Sequence, residues 1–295
     1  MGGSALTEAP PGGARSPSGD LGRLAFGFLA VSALSGLALV PFFSPAHALE
    51  SLERLHDGMP WGFFLRALHA YSSFGLLVTT VAHLVQVLAR RTERQLSAGA
   101  WWRSVLLFPL TFLALLSGFV LRGDAAAAEA LPVWSRIAET VPFLGPELQR
   151  LLLGVIPGDV GAISLHHAGT FTFLLWLITA EHGRRLVPDA RSLVLAGLVS
   201  AALAGAVPLT LGPPPGASPS GAAQILLGPW YLLGLQGALV DLPVPSAWLA
   251  PLLLVLLLGF VRGADGRARR LLLVLAGAWV AAWVGFTARI LLLAR

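Results

Sequence analysis

Long apolar stretches separated by short polar connections dominate the chain. A transmembrane helix needs about 17 to 25 predominantly apolar residues. Seven stretches meet this need, at about residues 21–40, 61–88, 101–121, 165–186, 193–211, 245–261 and 271–293. Between the third and the fourth, residues 132–141 and 146–155 have the amphipathic pattern of short surface helices. The pattern predicts an all-α integral membrane protein with about seven transmembrane helices.

The segment before the first apolar stretch has a different composition. Residues 1–20 are rich in Gly, Pro, Ser and Ala, which predicts a disordered tail. After the first stretch, Ala46-His47-Ala48 is similar to a signal-peptidase site. An apolar run of about 20 residues is longer than the apolar region of a signal peptide. A retained helix is therefore favoured over a cleaved leader.

Charged residues are distributed unequally between the two sets of connections. All basic residues are arginines, and one set of connections holds Arg90, Arg91, Arg94, Arg103, Arg184, Arg185, Arg191, Arg262, Arg267, Arg269 and Arg270. The other set holds most of the acids. The positive-inside rule then places the N-terminus and the arginine-rich connections in the cytoplasm, so that the second and fourth spans run in parallel.

Composition narrows the class of protein further. The 295 residues are 56% hydrophobic and 12% charged, which excludes an ordinary soluble domain. The sequence pI of about 11.1 is not read as a nucleic-acid signal, because the arginines lie at helix ends. No nucleic-acid partner is expected. The absence of cysteine excludes disulfides, thiolate-bound iron–sulfur clusters and covalently attached haem in this chain.

Two of the predicted spans each carry a pair of histidines. His69 and His83 are fourteen residues apart, so on an α-helix they lie within roughly 40° of each other and about 21 Å apart along the axis. His167 and His182 are fifteen apart, which gives an offset of roughly 60°. His166 would lie roughly 160° from His182, so His167 is the better partner and His166 the spare.

Imidazoles inside a membrane require a ligand or a relay because ionisable groups are costly there. Two parallel helices would bring His69 opposite His167 and His83 opposite His182. Neutral imidazole is a standard axial ligand of haem, so each couple is predicted to hold one non-covalent haem iron. The alternative for any single histidine is an ordinary hydrogen-bonded polar group.

Four segments resemble one known family, the cytochrome b subunit of cytochrome bc and bf quinol oxidoreductases. FLRALHAYSSFGLLVTTVAHLVQV and SLHHAGTFTFLLWLITAEH look like the family's second and fourth helices. LSGFVL is similar to the end of its third helix, and GPWYLLGLQGAL to its Pro-Glu-Trp-Tyr segment. The resemblance covers about residues 21–295, in the layout of the two chloroplast-type chains joined together.

The resemblance implies a domain division, a function and a set of partners. Residues 21–190 would form a dihaem four-helix bundle and residues 191–295 a three-helix C-terminal region. The implied function is transmembrane electron transfer through two b-type haems in a quinol:cytochrome c, or similar, oxidoreductase. Rieske iron–sulfur or c-type cytochrome subunits, a membrane quinone, the lipid bilayer and a second copy in a homodimer are the implied partners. The expected location is a bacterial-type inner membrane.

The resemblance also gives roles to further residues. Gly22 and Gly36 match glycines that let backbone pass close to a porphyrin, and Gly118 fits the same pattern. Its counterpart fourteen residues earlier is Ser104. Helix packing through small residues is the alternative for these glycines. Arg66 is expected to pair with a propionate of the outer haem, the alternative being that it snorkels to the membrane surface.

The sequence departs from the family at the expected quinol-oxidation site. The family's Leu-Pro-Trp is replaced by Leu121-Arg122-Gly123-Asp124. Its Pro-Glu-Trp-Tyr is replaced by 228–231, so the glutamate is missing beside Trp230 and Tyr231, the candidate quinone-site residues. A quinol needs a proton acceptor. Asp124 or Asp241 would have to substitute, and each is otherwise a solvated loop acid.

A second departure affects the inner haem. Gln86 replaces the arginine expected three residues after His83, with Arg90 or Arg91 as replacements from the next turn. The extra covalent haem of the chloroplast-type branch is not expected, because no cysteine is available.

Two other functions are compatible with the same histidines. One is a dihaem membrane anchor of another oxidoreductase, of the hydrogenase or formate dehydrogenase type. The other is a haem-free transporter or assembly protein in which the histidines relay protons.

Overall fold

The structure, a computed structural model, describes residues 17–154, 159–182, 189–216 and 225–294. Within these ranges the chain is helical and contains no strand. The α-helices are α1 Pro17–Leu39, α2 Ala48–Gly58, α3 Gly62–Arg90, α4 Ala98–Val120, α5 Ala125–Glu139, α6 Gly145–Leu153, α7 Gly161–Leu165, α8 Thr172–His182, α9 Ala190–Ala206, α10 Leu233–Asp241, α11 Ser246–Val261 and α12 Gly266–Leu293. A π-helical turn, His166–Phe171, joins α7 and α8 into one continuous helix.

Among the described residues, five helices are long and apolar enough to cross a membrane. They are Asp20–Phe42, Gly62–Arg90, Ala98–Val120, Gly161–His182 and Gly266–Leu293. The predicted fifth and sixth spans correspond to α9 and α11, which have 17 and 16 residues. The all-α multi-span architecture is as predicted, whereas the count of seven spans stays a prediction.

The ends of several helices differ from the sequence prediction. Helix α1 begins at Pro17, so the last part of the predicted tail is helical, and residues 1–16 lie outside the described part of the chain. Helix α9 ends at Ala206, because Pro208 has no backbone N–H to continue it. The amphipathic helix α2, which follows a 3₁₀ turn at Pro45–His47, was not predicted. Both predicted surface helices are present as α5 and α6.

The four long N-terminal helices form a bundle. Helix α1 packs along α3, α4 packs along α8, and contacts of α3 with α4 and of α1 with α8 close the bundle. Its centre contains the buried side chains of Phe26, Phe28, Leu29, Leu76 and Leu175. Gly75 has no Cβ, which allows the ring of Phe28 to lie directly against α3. Close packing of this kind holds the helices at fixed mutual rotations.

The C-terminal helices pack around this bundle. Helix α9 lies against α1 and α3, while α11 lies against α4 and α12. The indole of Trp101 donates a hydrogen bond of 3.0 Å to the carbonyl oxygen of Leu258, which joins α4 to α11. Helix α12 also packs along α10.

Ion pairs place the arginine-rich helix ends at one end of the molecule, called the inner end below after its predicted orientation. Arg23 pairs with Asp189 at 3.3 Å, and Arg103 pairs with Glu181 at 2.7 Å. Arg269 of α12 pairs with Glu93 at 3.0 Å. The starts of α1, α4, α9 and α12 therefore lie together with the ends of α3 and α8. The opposite, outer end carries Arg66, Asp124 and the segment 207–216.

Candidate functional site

The four histidines singled out in the sequence meet in two couples inside the bundle. The ring centroids of His69 and His167 are 6.0 Å apart, and those of His83 and His182 are 6.4 Å apart. Metal–imidazole bonds of about 2 Å leave the centroids of two opposed rings about 6 Å apart. Both couples therefore have the spacing of two imidazoles that share one metal ion.

A π-helical turn explains how a spacing of fifteen residues matches a spacing of fourteen. Residues His166–Phe171 form this turn, and Thr172 Oγ1 donates a hydrogen bond of 2.7 Å to the carbonyl oxygen of His167, five residues earlier. A π turn accommodates about one residue more than an α turn. His182 is thereby returned to an offset of roughly 40° from His167, the value expected for His69 and His83. A straight helix had predicted a larger offset.

Each histidine of the outer couple donates from Nδ1 to a main-chain carbonyl of a neighbouring helix. The Nδ1 of His69 lies 2.9 Å from the carbonyl oxygen of Ser32, and the Nδ1 of His167 lies 3.0 Å from that of Ala114. A carbonyl is only an acceptor, so Nδ1 carries the proton in both rings. This tautomer leaves the Nε2 lone pairs free to bind a metal.

The inner couple has different hydrogen-bond partners. The Nδ1 of His182 lies 2.7 Å from the Ser104 hydroxyl oxygen. Within the described part of the chain, the buried Nδ1 of His83 has no partner. The two couples are thus similar in spacing and different in the groups that hold their rings.

A small residue lies against each of the four imidazoles. A Cβ atom added to Gly36 would lie 2.9 Å from Cε1 of His69, and one added to Gly118 would lie 2.9 Å from Cε1 of His167. At Gly22 the distance to Cε1 of His83 would be 3.1 Å. Ser104 takes the fourth position, beside His182. A larger side chain at these positions would press against the imidazoles, so the small residues allow α1 and α4 to lie directly against the four rings.

A cavity opens at the inner couple. Its volume is about 300 Å³, and it is lined by Gly22, His83, Ser104 and His182 together with apolar side chains that include Phe26 and Leu29. A mostly apolar cavity with two convergent imidazoles is the environment expected for a porphyrin.

Arg66 lies at the outer end, three residues before His69. Its side chain is only 7% exposed, and Nη2 donates to the carbonyl oxygen of Leu209. The buried Nε has no partner among the described residues. This burial differs from the snorkelling alternative, and it leaves one buried N–H for an anionic group.

The two acids considered as quinol bases are engaged in other contacts. Asp124 is fully buried, where it caps α5 by accepting from Ala127 N at 3.1 Å. It also accepts from Gly212 N at 3.1 Å and pairs with Arg122. Asp241 pairs with Arg289 at 2.5 Å. Asp124 is therefore not a solvated loop acid, and both carboxylates already have cationic partners.

Trp230 and Tyr231 lie beside Phe74 of the bundle. Their ring centroids are 6.1 Å and 5.8 Å from that of Phe74. Trp230 is 51% exposed, whereas Tyr231 is buried and donates a hydrogen bond of 3.0 Å to the carbonyl oxygen of Leu115. Burial raises the pKa of the Tyr231 hydroxyl, although nearby Arg122 lowers it in part. Tyr231 is thus a neutral hydrogen-bonding group and not a proton acceptor at neutral pH.

The remaining predicted residues lie away from the couples. His166 is held by the carbonyl oxygen of Leu151, 2.6 Å from Nε2, and by Thr170. Arg90 and Arg91 are exposed at the end of α3.

Sequence reasoning missed the acceptors of the histidine Nδ1 atoms. A partial signal was present, since Ser32 and Ala114 lie four residues before Gly36 and Gly118, one helical turn away on the same face. The fourteen-residue spacing from Gly118 places Ser104 at the level of the inner couple, but its hydrogen bond to His182 was not predicted.

Comparisons with known proteins agree with this geometry. Residues 18–182 match the family described as Cytochrome b/b6/petB. Over 146 residues the chain is 30% identical to the menaquinol:cytochrome c reductase cytochrome b subunit of Geobacillus thermodenitrificans, covering 49% of this chain and 65% of that protein. Over 162 residues it is 24% identical to cytochrome b6 of Porphyra purpurea, covering 54% of this chain and 75% of the relative.

The matches cover less than two thirds of the length of some relatives. The match to cytochrome b of Schizosaccharomyces octosporus, 28% identical over 151 residues, covers 50% of this chain and 39% of that protein. The fold is similar to that of a chain of a hyperthermophilic respiratory Complex III, with a TM-score of 0.69, 17% identity and coverage of 92% of this chain and 83% of the other. Since the family pattern matches more than half of the chain and includes all four coupled histidines, the chain belongs to the cytochrome b family.

Proposed function

We propose that the chain holds two non-covalent b-type haems and transfers electrons across the membrane as the cytochrome b subunit of a quinol:cytochrome c, or similar, oxidoreductase. The outer haem would lie between His69 and His167, and the inner haem between His83 and His182. The observation that carries this proposal is the pair of histidine couples, which have centroid separations of 6.0 and 6.4 Å.

Other groups of this chain orient the four histidines and surround the proposed haem sites. The carbonyl oxygens of Ser32 and Ala114 hold the outer imidazoles through Nδ1, which keeps Nε2 as the ligand atom and increases its basicity. Gly22, Gly36 and Gly118 let the backbones of α1 and α4 lie against the imidazoles without a side chain pressing on the rings. The buried Nε of Arg66 is placed to donate to a propionate of the outer haem.

A haem with two histidine ligands has no open coordination position and supplies one-electron transfer when bound. Within α3 the two coupled histidines are fourteen residues apart, which corresponds to about 21 Å along the helix axis. Between them lie the buried apolar side chains of Phe28, Leu76 and Leu175. An apolar layer thus separates the two proposed ligand sites, one toward each end of the molecule.

The proposed partners follow from the relatives and from the chain's composition. The relative from Geobacillus is named as a subunit of a menaquinol:cytochrome c reductase. This chain has no cysteine to bind an iron–sulfur cluster through thiolates or to attach a c-type haem. We therefore assign those centres to Rieske or c-type cytochrome subunits and the electron donor to a membrane quinone. The proposed arrangement is a homodimer in a bacterial inner membrane with a cytoplasmic N-terminus.

The proton chemistry of quinol oxidation is not assigned to this chain's acids. Pro229 stands beside Trp230 where the family has a glutamate. Asp124 and Asp241 are bound to Arg122 and Arg289. Trp230 and Tyr231 are proposed to contact a quinone at the outer end, with Tyr231 as a hydrogen-bonding group.

Purified protein tests the central proposal. Pyridine haemochrome quantification should give two b-type haems per chain, and a His166→Ala control should keep both because His166 lies outside the couples. A well-folded preparation without tetrapyrrole would refute the proposal and favour the haem-free transporter. The subunits that copurify then distinguish a quinol:cytochrome c reductase from a hydrogenase or formate dehydrogenase anchor.

A further inference from the structure

The hydrogen bonds of Ser104 give this residue a specific role at the inner couple. Its hydroxyl donates to the carbonyl oxygen of Ala100 at 2.8 Å, one turn earlier in α4. A hydroxyl has one proton and two lone pairs, so the oxygen is left as an acceptor for His182 Nδ1 at 2.7 Å. We propose that Ser104 is a positioning residue that fixes the tautomer of His182 and thereby tunes the reduction potential of the inner haem. This inference rests on the proposed function.

Ser104 stands where the pattern of small residues leads one to expect a glycine. Gly22, Gly36 and Gly118 occupy the other three positions beside the imidazoles. At two of the couples' four histidines a main-chain carbonyl accepts from Nδ1, but His182 uses the Ser104 side chain instead. The serine therefore supplies an acceptor at a position where glycine would supply only space.

The acceptor at Nδ1 influences the metal through the ring. When Nδ1–H donates to an acceptor, the imidazole becomes a more basic ligand and stabilises ferric over ferrous iron. Removing the Ser104 hydroxyl leaves Nδ1 of His182 without this acceptor in a mostly apolar cavity. The ferric form of the inner haem should then lose stability relative to the ferrous form, and its reduction potential should rise.

Ser104→Ala and Ser104→Gly are the test variants. Changes in groups next to metal ligands commonly alter metal affinity by about 10- to 100-fold. A tenfold change in preference between the two iron oxidation states corresponds to about 59 mV for a one-electron couple. Redox titration of the haem absorbance should therefore show one of the two potentials raised by about 59 mV or more, with the other unchanged.

Ser117 provides a matched control on the same helix. Its hydroxyl lies 3.0 Å from Nδ1 of His167, but His167 also has the carbonyl oxygen of Ala114 at 3.0 Å. Ser117→Ala leaves that carbonyl in place, so both potentials should remain at their original values. This control separates the effect of deleting a hydroxyl from α4 from the effect of removing the acceptor of His182 Nδ1.

Each outcome decides between the alternatives. A raised potential for one haem in both Ser104 variants, with two haems retained, supports the proposal. Unchanged potentials in variants that hold two haems would overturn it. If Ser104→Ala loses a haem, Ser104→Gly decides, since glycine is the residue at the other three positions beside the imidazoles. Wild-type protein without haem would refute the proposed function instead, so the two failures are distinguishable.

Discussion

Thr172 Oγ1 and the carbonyl oxygen of His167 are joined by a 2.7 Å hydrogen bond that spans the π-helical turn. This turn holds the one residue by which the spacing of His167 and His182 exceeds that of His69 and His83. π turns are rare and concentrate at functional sites. Here the turn gives two helices with different sequence spacings the same alignment of histidines.

Removing one residue from this turn and adding one residue after it should have opposite effects on the number of bound haems. Deleting the exposed Gly169 should convert the turn to a regular α-helix and preserve both haems, because fourteen residues then separate His167 and His182. Inserting one alanine after Thr172 should rotate His182 by about 100° and remove one haem. Pyridine haemochrome analysis gives the count. Haem loss on deletion together with retention on insertion would contradict this account of the turn.

Single histidine variants test the pairing directly. His83→Ala should remove the inner haem and leave the outer haem, because His69 and His167 form a separate couple. The haem content should fall from two per chain to one. A His83→Ala protein that still holds two haems would show that the pairing is wrong.

The glycine next to His69 should be essential to the outer site. In Gly36→Val the new Cβ would meet Cε1 of His69 at 2.9 Å, and the branched side chain would extend into the space beside the ring. The outer haem should be lost and the inner haem retained. Gly277→Val on α12 is the matched control, since a Cβ there meets no atom of the described residues within 4 Å. Equal haem content in the two variants would contradict the proposed role of Gly36.

The buried ion pair at the inner end should be needed for stability, because each charge neutralises the other. Glu93 and Arg269 have side-chain exposures of 0% and 8%. Arg269→Met leaves the Glu93 carboxylate buried without its partner and should lower the free energy of unfolding by about 3–5 kcal/mol. Thermal and denaturant unfolding in detergent measure the change, and Glu93→Gln combined with Arg269→Met should recover most of it.

A more exposed pair, formed by another arginine of α12, provides the comparison. Arg289 and Asp241 are 47% and 37% exposed, so Arg289→Met should change the free energy of unfolding by no more than about 1 kcal/mol. A larger loss for Arg289→Met than for Arg269→Met would contradict the assignment of the Glu93 pair as the stronger interaction.

The sequence was sufficient for features that depend on local periodicity. Run lengths of apolar residues predicted the long helices, and the fourteen-residue spacings placed His69, His83 and the glycines of α1 on consistent helical faces. Helix α2 was missed because its amphipathic pattern is short. The role of Asp124 was also missed, because its partner Gly212 is 88 residues away.

By itself, the sequence determined which helices carry the histidines, how far apart His69 and His83 lie along α3, and which of His166 and His167 faces the neighbouring helix, because rise and rotation in a regular helix depend only on residue number. Only the tertiary structure decided what each imidazole donates to. The acceptors for His69, His167 and His182 come from other helices, 37, 53 and 78 residues away in sequence. Packing between helices, and not periodicity within one, brings such groups to hydrogen-bonding distance.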